Sequence, residues 1–271
     1  AVVQYLFQGK PNEAISQLFA LPEHLGYKIL GIIPAFLEHF TGVSLVLPAL
    51  FFSLFSVLNL YLIFLLAQRI GGESKEAYFA LILAIFSQSL FYYSRHLMPY
   101  DVAMSFALLS LYVGLSDRVT VKHSLICGFC SLCCFVTYNG YWTLVGLAMI
   151  MHVLRHSKSL VHIARKGFFL TVGFFLPLLG LGVIAARVGI NLLTEYKNFA
   201  QTITQGTFDE GWKLPFAYFW HAEHFLFVVL ILLSIFAILN WKSHQAEGVI
   251  LWVGSILFVY ACLVIPSVFF A

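Results

Sequence analysis

Long apolar runs constrain this chain more than any other feature. Three of them, at residues 45–68, 167–189 and 248–270, hold the roughly 20 apolar residues that a helix needs to cross about 30 Å of hydrocarbon. Backbone groups in lipid must be hydrogen-bonded within their own segment, so these runs predict helices and not strands. Five shorter apolar runs lie near residues 76–93, 102–116, 124–138, 141–154 and 224–240. The sequence therefore predicts an all-α, polytopic transmembrane helix bundle of about eight membrane segments.

The composition excludes several classes of protein. Only 10% of the 271 residues are charged, against roughly 25% in soluble domains, and the net charge is +3. A soluble globule and a disordered chain are both excluded, and the small net charge predicts no nucleic-acid partner. We expect residues 1–271 to form a single transmembrane domain in contact with membrane lipids. Because the chain begins with Ala1 and ends inside an apolar run at Ala271, we also expect it to be truncated at both ends.

Basic residues predict which loops face the cytoplasm. Nine of the 15 Lys and Arg residues lie in four short loops, at 69–76, 116–123, 155–166 and 241–247. With these loops inside, residues 1–44 and 190–223 become external loops of an integral protein, which we expect in the bacterial inner membrane with its functional face external. Within the first loop, residues 27–40 are short and interrupted by Pro34. They predict a helix lying in the outer interface, and a short membrane span is the alternative.

The turn at residues 92–101 carries the chemistry most suited to a ligand. It places Arg95 and Asp101 between two apolar runs, at the external membrane boundary. The planar guanidinium group of arginine suits phosphate oxygens. Asp101 is predicted to cap the helix that follows, and pairing with Arg95 is the alternative interpretation.

A family resemblance enters at this turn. The pattern Tyr93-Ser94-Arg95, followed by Pro99-Tyr100 and an apolar helix, resembles membrane glycosyltransferases of the GT-C fold. The nearest group is that of the dolichyl-phosphate-mannose protein mannosyltransferases and the lipid A aminoarabinose transferases. Other segments resemble the same family in the same order, at residues 27–42, 47–50, 66–72 and 125–142.

The resemblance implies an enzyme that moves a sugar from a polyprenyl-phosphate donor to an acceptor at the external face. It implies an acidic general base in the first external loop, which here would lie upstream of Ala1, with Glu13, Glu23 and Glu38 as substitutes. No cofactor and no metal are implied. Contacts with the donor phosphate or the acceptor are expected from six residues: Arg95, Tyr100, Asp101, Tyr138, His221 and His224.

One departure from the family keeps another function open. The family often has a lysine where this chain has Tyr138. The alternative is a non-catalytic GT-C-like subunit that serves as scaffold in a larger membrane complex. A transporter is a third possibility, but no charged residue lies in the middle of a long span, where ion pathways place them.

Two further motifs resemble metal sites. Cys127, Cys130, Cys133 and Cys134 lie in an apolar helical run, so packing is the favoured interpretation, with a metal or redox role as alternatives. Spacing of three residues predicts that His221 and His224 share one helical face. We interpret the pair as part of an interfacial belt, while a lipid or acceptor contact and a metal site remain open.

Overall fold

The computed structural model describes residues 2–70, 73–87, 90, 98–116, 120–138, 141–155, 157, 159–205 and 220–239. Every regular element in these ranges is a helix. A 3₁₀ turn, Pro22–His24, separates the first two helices from the rest. The α-helices are α1 (Val2–Phe7), α2 (Pro11–Phe19), α3 (Leu25–Thr41), α4 (Val46–Arg69), α5 (Ser74–Phe86), α6 (Tyr100–Gly114), α7 (Val121–Thr137), α8 (Trp142–Leu154), α9 (Leu160–Arg187), α10 (Leu192–Gln205) and α11 (Phe225–Leu239).

Two of these helices are long and apolar enough to cross a membrane. α4 has 24 residues and α9 has 28, and the most apolar stretch of each has a mean hydropathy of 2.3. Only 22% of that stretch in α4 and 17% in α9 is buried, whereas the core helix of a soluble protein is mostly buried. The apolar side chains therefore point away from the bundle, as lipid contact requires. The all-helical prediction is confirmed for the described residues, and the predicted span 248–270 lies outside them.

Side-chain contacts fix the relative directions of the central helices. α4 and α6 run parallel, because Ser56 in the middle of α4 meets Asp101 at the start of α6, and Arg69 at the end of α4 meets Tyr112 near the end of α6. α6 and α7 are joined by a short connection and run antiparallel. The bundle thus has two distinct ends. We call the end with Tyr100, Tyr138 and Tyr141 the tyrosine end, and the end with Arg69 and Arg155 the arginine end.

Small residues allow α7 and α9 to pack closely. A Cβ added to Gly128 would lie 2.2 Å from the Leu170 carbonyl oxygen, and one added to Gly173 would lie 2.3 Å from that of Leu125. Backbone therefore meets backbone at this crossing. Close approach through small residues is the usual basis of helix association in lipid, where the surrounding chains are as apolar as the side chains.

Hydrogen bonds between side chains join α6, α7 and α8. The hydroxyl groups of Ser110 and Ser131 are 2.8 Å apart in the α6–α7 interface. The buried His152 of α8 contacts the Gly114 carbonyl through Nδ1 at 3.1 Å and the Ser124 hydroxyl through Nε2 at 2.8 Å. A carbonyl oxygen only accepts, so Nδ1 donates and the neutral ring accepts from Ser124. These bonds satisfy polar groups to which lipid offers no hydrogen-bond partner.

Basic side chains stabilise helix C-termini at the arginine end. Arg69 donates to the Tyr112 carbonyl and lies 3.6 Å above the Tyr112 ring centroid. Arg155 donates to the Leu115 carbonyl at 2.6 Å, and Lys166 donates to the Arg155 carbonyl. Positive charge is favourable beside the carbonyls that a helix leaves unpaired at its end. These three cations therefore hold the bundle together in addition to any effect on topology.

α3 begins and finishes at the tyrosine end. Its second residue, Gly26, packs against Thr137, the last residue of α7. Its last residue, Thr41, is followed after four residues by α4, which starts at the same end. Tyr27, in the first turn of α3, stacks on Phe52, in the second turn of α4, with ring centroids 4.5 Å apart. Whether α3 lies in the membrane interface or forms a short span stays a prediction.

Candidate functional site at the tyrosine end

Three rings lie around that of Tyr138, which directly follows α7. Tyr100 and Tyr141 contact its ring edge-on, with centroids 4.7 Å and 5.4 Å away. The imidazole of His24 lies parallel to the Tyr138 ring at 6.4 Å. The residues come from α6, the α7–α8 connection and the 3₁₀ turn. Helices distant in the sequence thus place their ends around one phenol.

The Tyr138 hydroxyl group is a neutral hydrogen-bonding group. Partial burial raises the pKa of Tyr138, and the neighbouring Tyr100 hydroxyl raises it further. The phenol therefore stays protonated at neutral pH, and its hydroxyl group is hydrogen-bonded to that of Tyr100. It provides no positive charge, in contrast to the lysine that the resemblance implies at this position. Tyr138 suits a hydroxyl or phosphate ligand as a hydrogen-bond partner only.

Asp101 is buried beside α4 and does not cap α6. Pro99 occupies the cap position, and the Asp101 carboxylate accepts a hydrogen bond from the Ser56 hydroxyl. The Asp101 carbonyl accepts from Asn59 Nδ2 at 3.0 Å, and Ser105 Oγ lies 2.6 Å from Asn59 Oδ1. The predicted cap is therefore wrong, because the carboxylate follows the cap by two residues and faces another helix.

The predicted phosphate contact lies outside the described residues. Arg95 belongs to residues 91–97, which are not among those that the structure describes. Tyr100 and Asp101, which follow directly, are described and lie at the tyrosine end. The predicted pairing of Arg95 with Asp101 stays a prediction.

His221 and His224 do not share a helical face. Both side chains are exposed, and His224 has a left-handed φ of 44° that interrupts the helical backbone before α11 begins. The spacing argument required an unbroken helix, so the predicted arrangement is wrong. Among the described residues, no group of three or more His, Cys, Asp or Glu side chains is placed to hold a metal ion.

Glu223 is a functional candidate that the sequence analysis missed. Its side chain is 5% exposed, and its Oε1 accepts a hydrogen bond from Ser87 Oγ at 2.9 Å. Ser87 directly follows α5, so this bond brings the end of α5 to the start of α11. The sequence signal for this residue is an acidic side chain next to a long apolar run. A carboxylate buried in such a place is almost always paired, so a partner such as Ser87 is expected.

The cysteine run packs inside the bundle. Cys127, Cys130 and Cys134 are buried, Cys133 is half-buried, and all four are free thiols. Cys134 packs in one cluster with Ala107 and Val145, so these thiols fill space between helices.

We expect replacement of these four cysteines by alanine to leave bound metal and ligand binding unchanged. Each buried replacement is expected to cost about 1 kcal/mol of stability, because the volume change is small. Elemental analysis and thermal unfolding of the purified protein measure both quantities. Stoichiometric iron or zinc that disappears in the fourfold variant would contradict the packing interpretation.

Comparison of the chain with protein-family models, with curated proteins and with solved structures gives no match.

Proposed function

We propose that the chain is a GT-C-type membrane glycosyltransferase that transfers a sugar from a polyprenyl-phosphate donor to an acceptor at the external face. The observation that carries the proposal is the gathering of Tyr100, Tyr138 and the buried Asp101 at the tyrosine end. Tyr100 and Asp101 lie five and six residues after Arg95 in the sequence. Tyr138 contacts Tyr100, and helices α1–α3 pack over the same end. Aromatic rings with a few convergent polar groups are typical of ligand sites.

The proposed reaction is a single inverting displacement. The acceptor oxygen bonds to the anomeric carbon while the bond from that carbon to the phosphate oxygen breaks. A carboxylate base takes the acceptor proton, and polyprenyl phosphate leaves with the electron pair. Arg95 stabilises the charge that develops on the phosphate, and Tyr138 donates a hydrogen bond to it. The resemblance implies that this base is an acidic residue of the first external loop.

The proposal places the tyrosine end outside the bacterial inner membrane. We expect a single cysteine at Val43, which is 95% exposed between α3 and α4, to react with an impermeant maleimide added to intact cells. A cysteine at Ser159, which caps the start of α9 at the arginine end, is expected to react only after permeabilisation. The experiment uses the background without Cys127, Cys130, Cys133, Cys134 and Cys262. The reverse labelling pattern would overturn the assignment.

The direct test is turnover by the full-length protein in lipid nanodiscs. The donors are undecaprenyl phosphate carrying mannose, glucose or aminoarabinose, and the measured product is free undecaprenyl phosphate. Release that requires the protein and an acceptor fraction supports the proposal. No release with any donor, from protein that is folded by thermal unfolding, contradicts it.

A scaffold subunit is the second candidate, and the bonding of Asp101 favours it. The carboxylate bonds to Ser56, and the neighbouring carbonyl bonds to Asn59, so both groups join α4 to α6. These bonds give Asp101 a role in helix packing that does not depend on a substrate. The scaffold function predicts that tyrosine-end variants change assembly with partner subunits and leave donor binding unaffected.

A further inference from the structure

His24 is held in place by contacts on both sides of it in the sequence. The carbonyl of Pro22 accepts a hydrogen bond from the Tyr196 hydroxyl of α10 at 3.1 Å. Leu25 is fully buried in the cluster that joins α7 and α9. A Cβ at Gly26 would lie 2.1 Å from Thr137 Oγ1, so this position accepts only glycine unless Thr137 moves. The local backbone, and with it the imidazole, is therefore fixed against the end of α7.

The imidazole has an unused hydrogen-bonding atom. His24 Nδ1 is buried, and no hydrogen-bond partner for it lies among the described residues. Buried polar atoms in native proteins are nearly always paired, so an exception requires an explanation. The same ring lies parallel to Tyr138, which contacts Tyr100. The ring that carries the unused atom therefore belongs to the ring cluster of the candidate site.

Building on the glycosyltransferase function proposed above, we propose that His24 Nδ1 hydrogen-bonds to a hydroxyl group of the donor sugar bound beside Tyr138. A sugar ring presents apolar C–H faces that pack on aromatic rings, and hydroxyl groups that donate and accept at its edge. The cluster offers both kinds of partner within one group of side chains. An imidazole nitrogen either accepts from a hydroxyl or donates to it, depending on the tautomer. His24 thus recognises the sugar, while other residues bind the lipid phosphate.

The test compares three variants that separate the two ring nitrogens. Asparagine places an amide atom where Nδ1 lies, glutamine places one where Nε2 lies, and phenylalanine keeps only the ring. We measure dissociation constants of the full-length protein in nanodiscs for undecaprenyl phosphate and for its mannose, glucose and aminoarabinose derivatives. For the preferred sugar, His24→Gln and His24→Phe are expected to weaken binding about tenfold, which is the loss of one hydrogen bond. His24→Asn is expected to stay within about threefold of wild type, and affinity for undecaprenyl phosphate is expected to be unchanged in all three.

A matched control comes from the same region. His39 stacks on Phe7 with centroids 3.8 Å apart, on the exposed side of α3. His39→Gln is expected to bind every lipid as wild type does. Thermal unfolding of each variant verifies that it is folded.

The outcomes separate the two proposals. Unchanged sugar binding by folded His24→Gln, or equal losses in the Asn and Gln variants, overturns the role of Nδ1 and leaves the glycosyltransferase proposal standing. If wild-type protein binds sugar-bearing and sugar-free lipid equally and releases no product, the glycosyltransferase proposal fails, and the assignment of His24 fails with it.

Discussion

Gly128→Ala is expected to lower the free energy of unfolding by about 3 kcal/mol, near the upper end for overpacking in a tight core. The new methyl group would lie 2.2 Å from the Leu170 carbonyl oxygen and 3.0 Å from the Phe174 nitrogen. Both atoms belong to the α9 backbone, so no side-chain rotation relieves the contact and the helices must separate. Thermal unfolding in detergent, followed by the loss of monodisperse protein, measures the effect.

Gly180→Ala provides the control within α9 itself. A Cβ there would meet nothing within 4 Å. Alanine is about 1 kcal/mol better than glycine in a helix interior, so this variant is expected to be as stable as wild type or more so. The double variant Gly128→Ala/Gly173→Ala is expected to cost less than the sum of the two, because one separation relieves both contacts. Equal stability of the Gly128 and Gly180 variants would contradict the close crossing of α7 and α9.

The helices were predictable because apolar runs and helix geometry carry the same signal. The predicted segments 45–68 and 167–189 fall in α4 and α9, and the shorter described segments each contain a helix. The exceptions arise where local capping decides the boundary. α5 ends at Phe86 although its apolar run continues, and the first part of the predicted loop 190–223 forms the helix α10. A hydropathy pattern does not contain that information.

The candidate site was less predictable, because its geometry depends on contacts between distant segments. Asp101 was identified as important, but its partner Ser56 lies 45 residues away, and serine in an apolar run resembles any small packing residue. His24 lies beside Tyr138, to which no spacing rule links it. The histidine pair failed for a local reason, since the left-handed backbone at His224 breaks the helix that the spacing assumed.

Polar residues within the apolar helices follow one physical rule. The side chains of Asn59, Ser110, Ser124 and His152 are all buried, and each bonds to a neighbouring helix. In lipid an unpaired polar group has no water to bond, so such residues specify which helices pack together. The sequence reveals their presence, and only the fold reveals their partners. This distinction separates the polar groups that build the bundle from those, such as His24, that we propose for a ligand.

Arg95→Ala is expected to reduce donor turnover roughly a hundredfold, or about 3 kcal/mol, if Arg95 stabilises the leaving phosphate as a typical electrostatic group does. Arg95→Lys keeps the charge but loses the two-pronged geometry, so an intermediate loss is expected. Initial rates of undecaprenyl-phosphate release by the full-length protein measure both effects, and thermal unfolding shows whether each variant is folded.

Arg187→Ala is the matched control for this prediction, because Arg187 is an exposed arginine at the tyrosine end, in the last turn of α9. It is expected to turn over donor at the wild-type rate, since general positive charge at this end is not what the mechanism uses. Similar losses of turnover in the Arg187 and Arg95 variants would mean that both arginines only attract the anionic lipid nonspecifically. Full turnover by a folded Arg95→Ala protein would remove Arg95 from the site. The phosphate would then depend on neutral donors such as Tyr138, and the scaffold function would become the better explanation of an end built from rings and buried carboxylates.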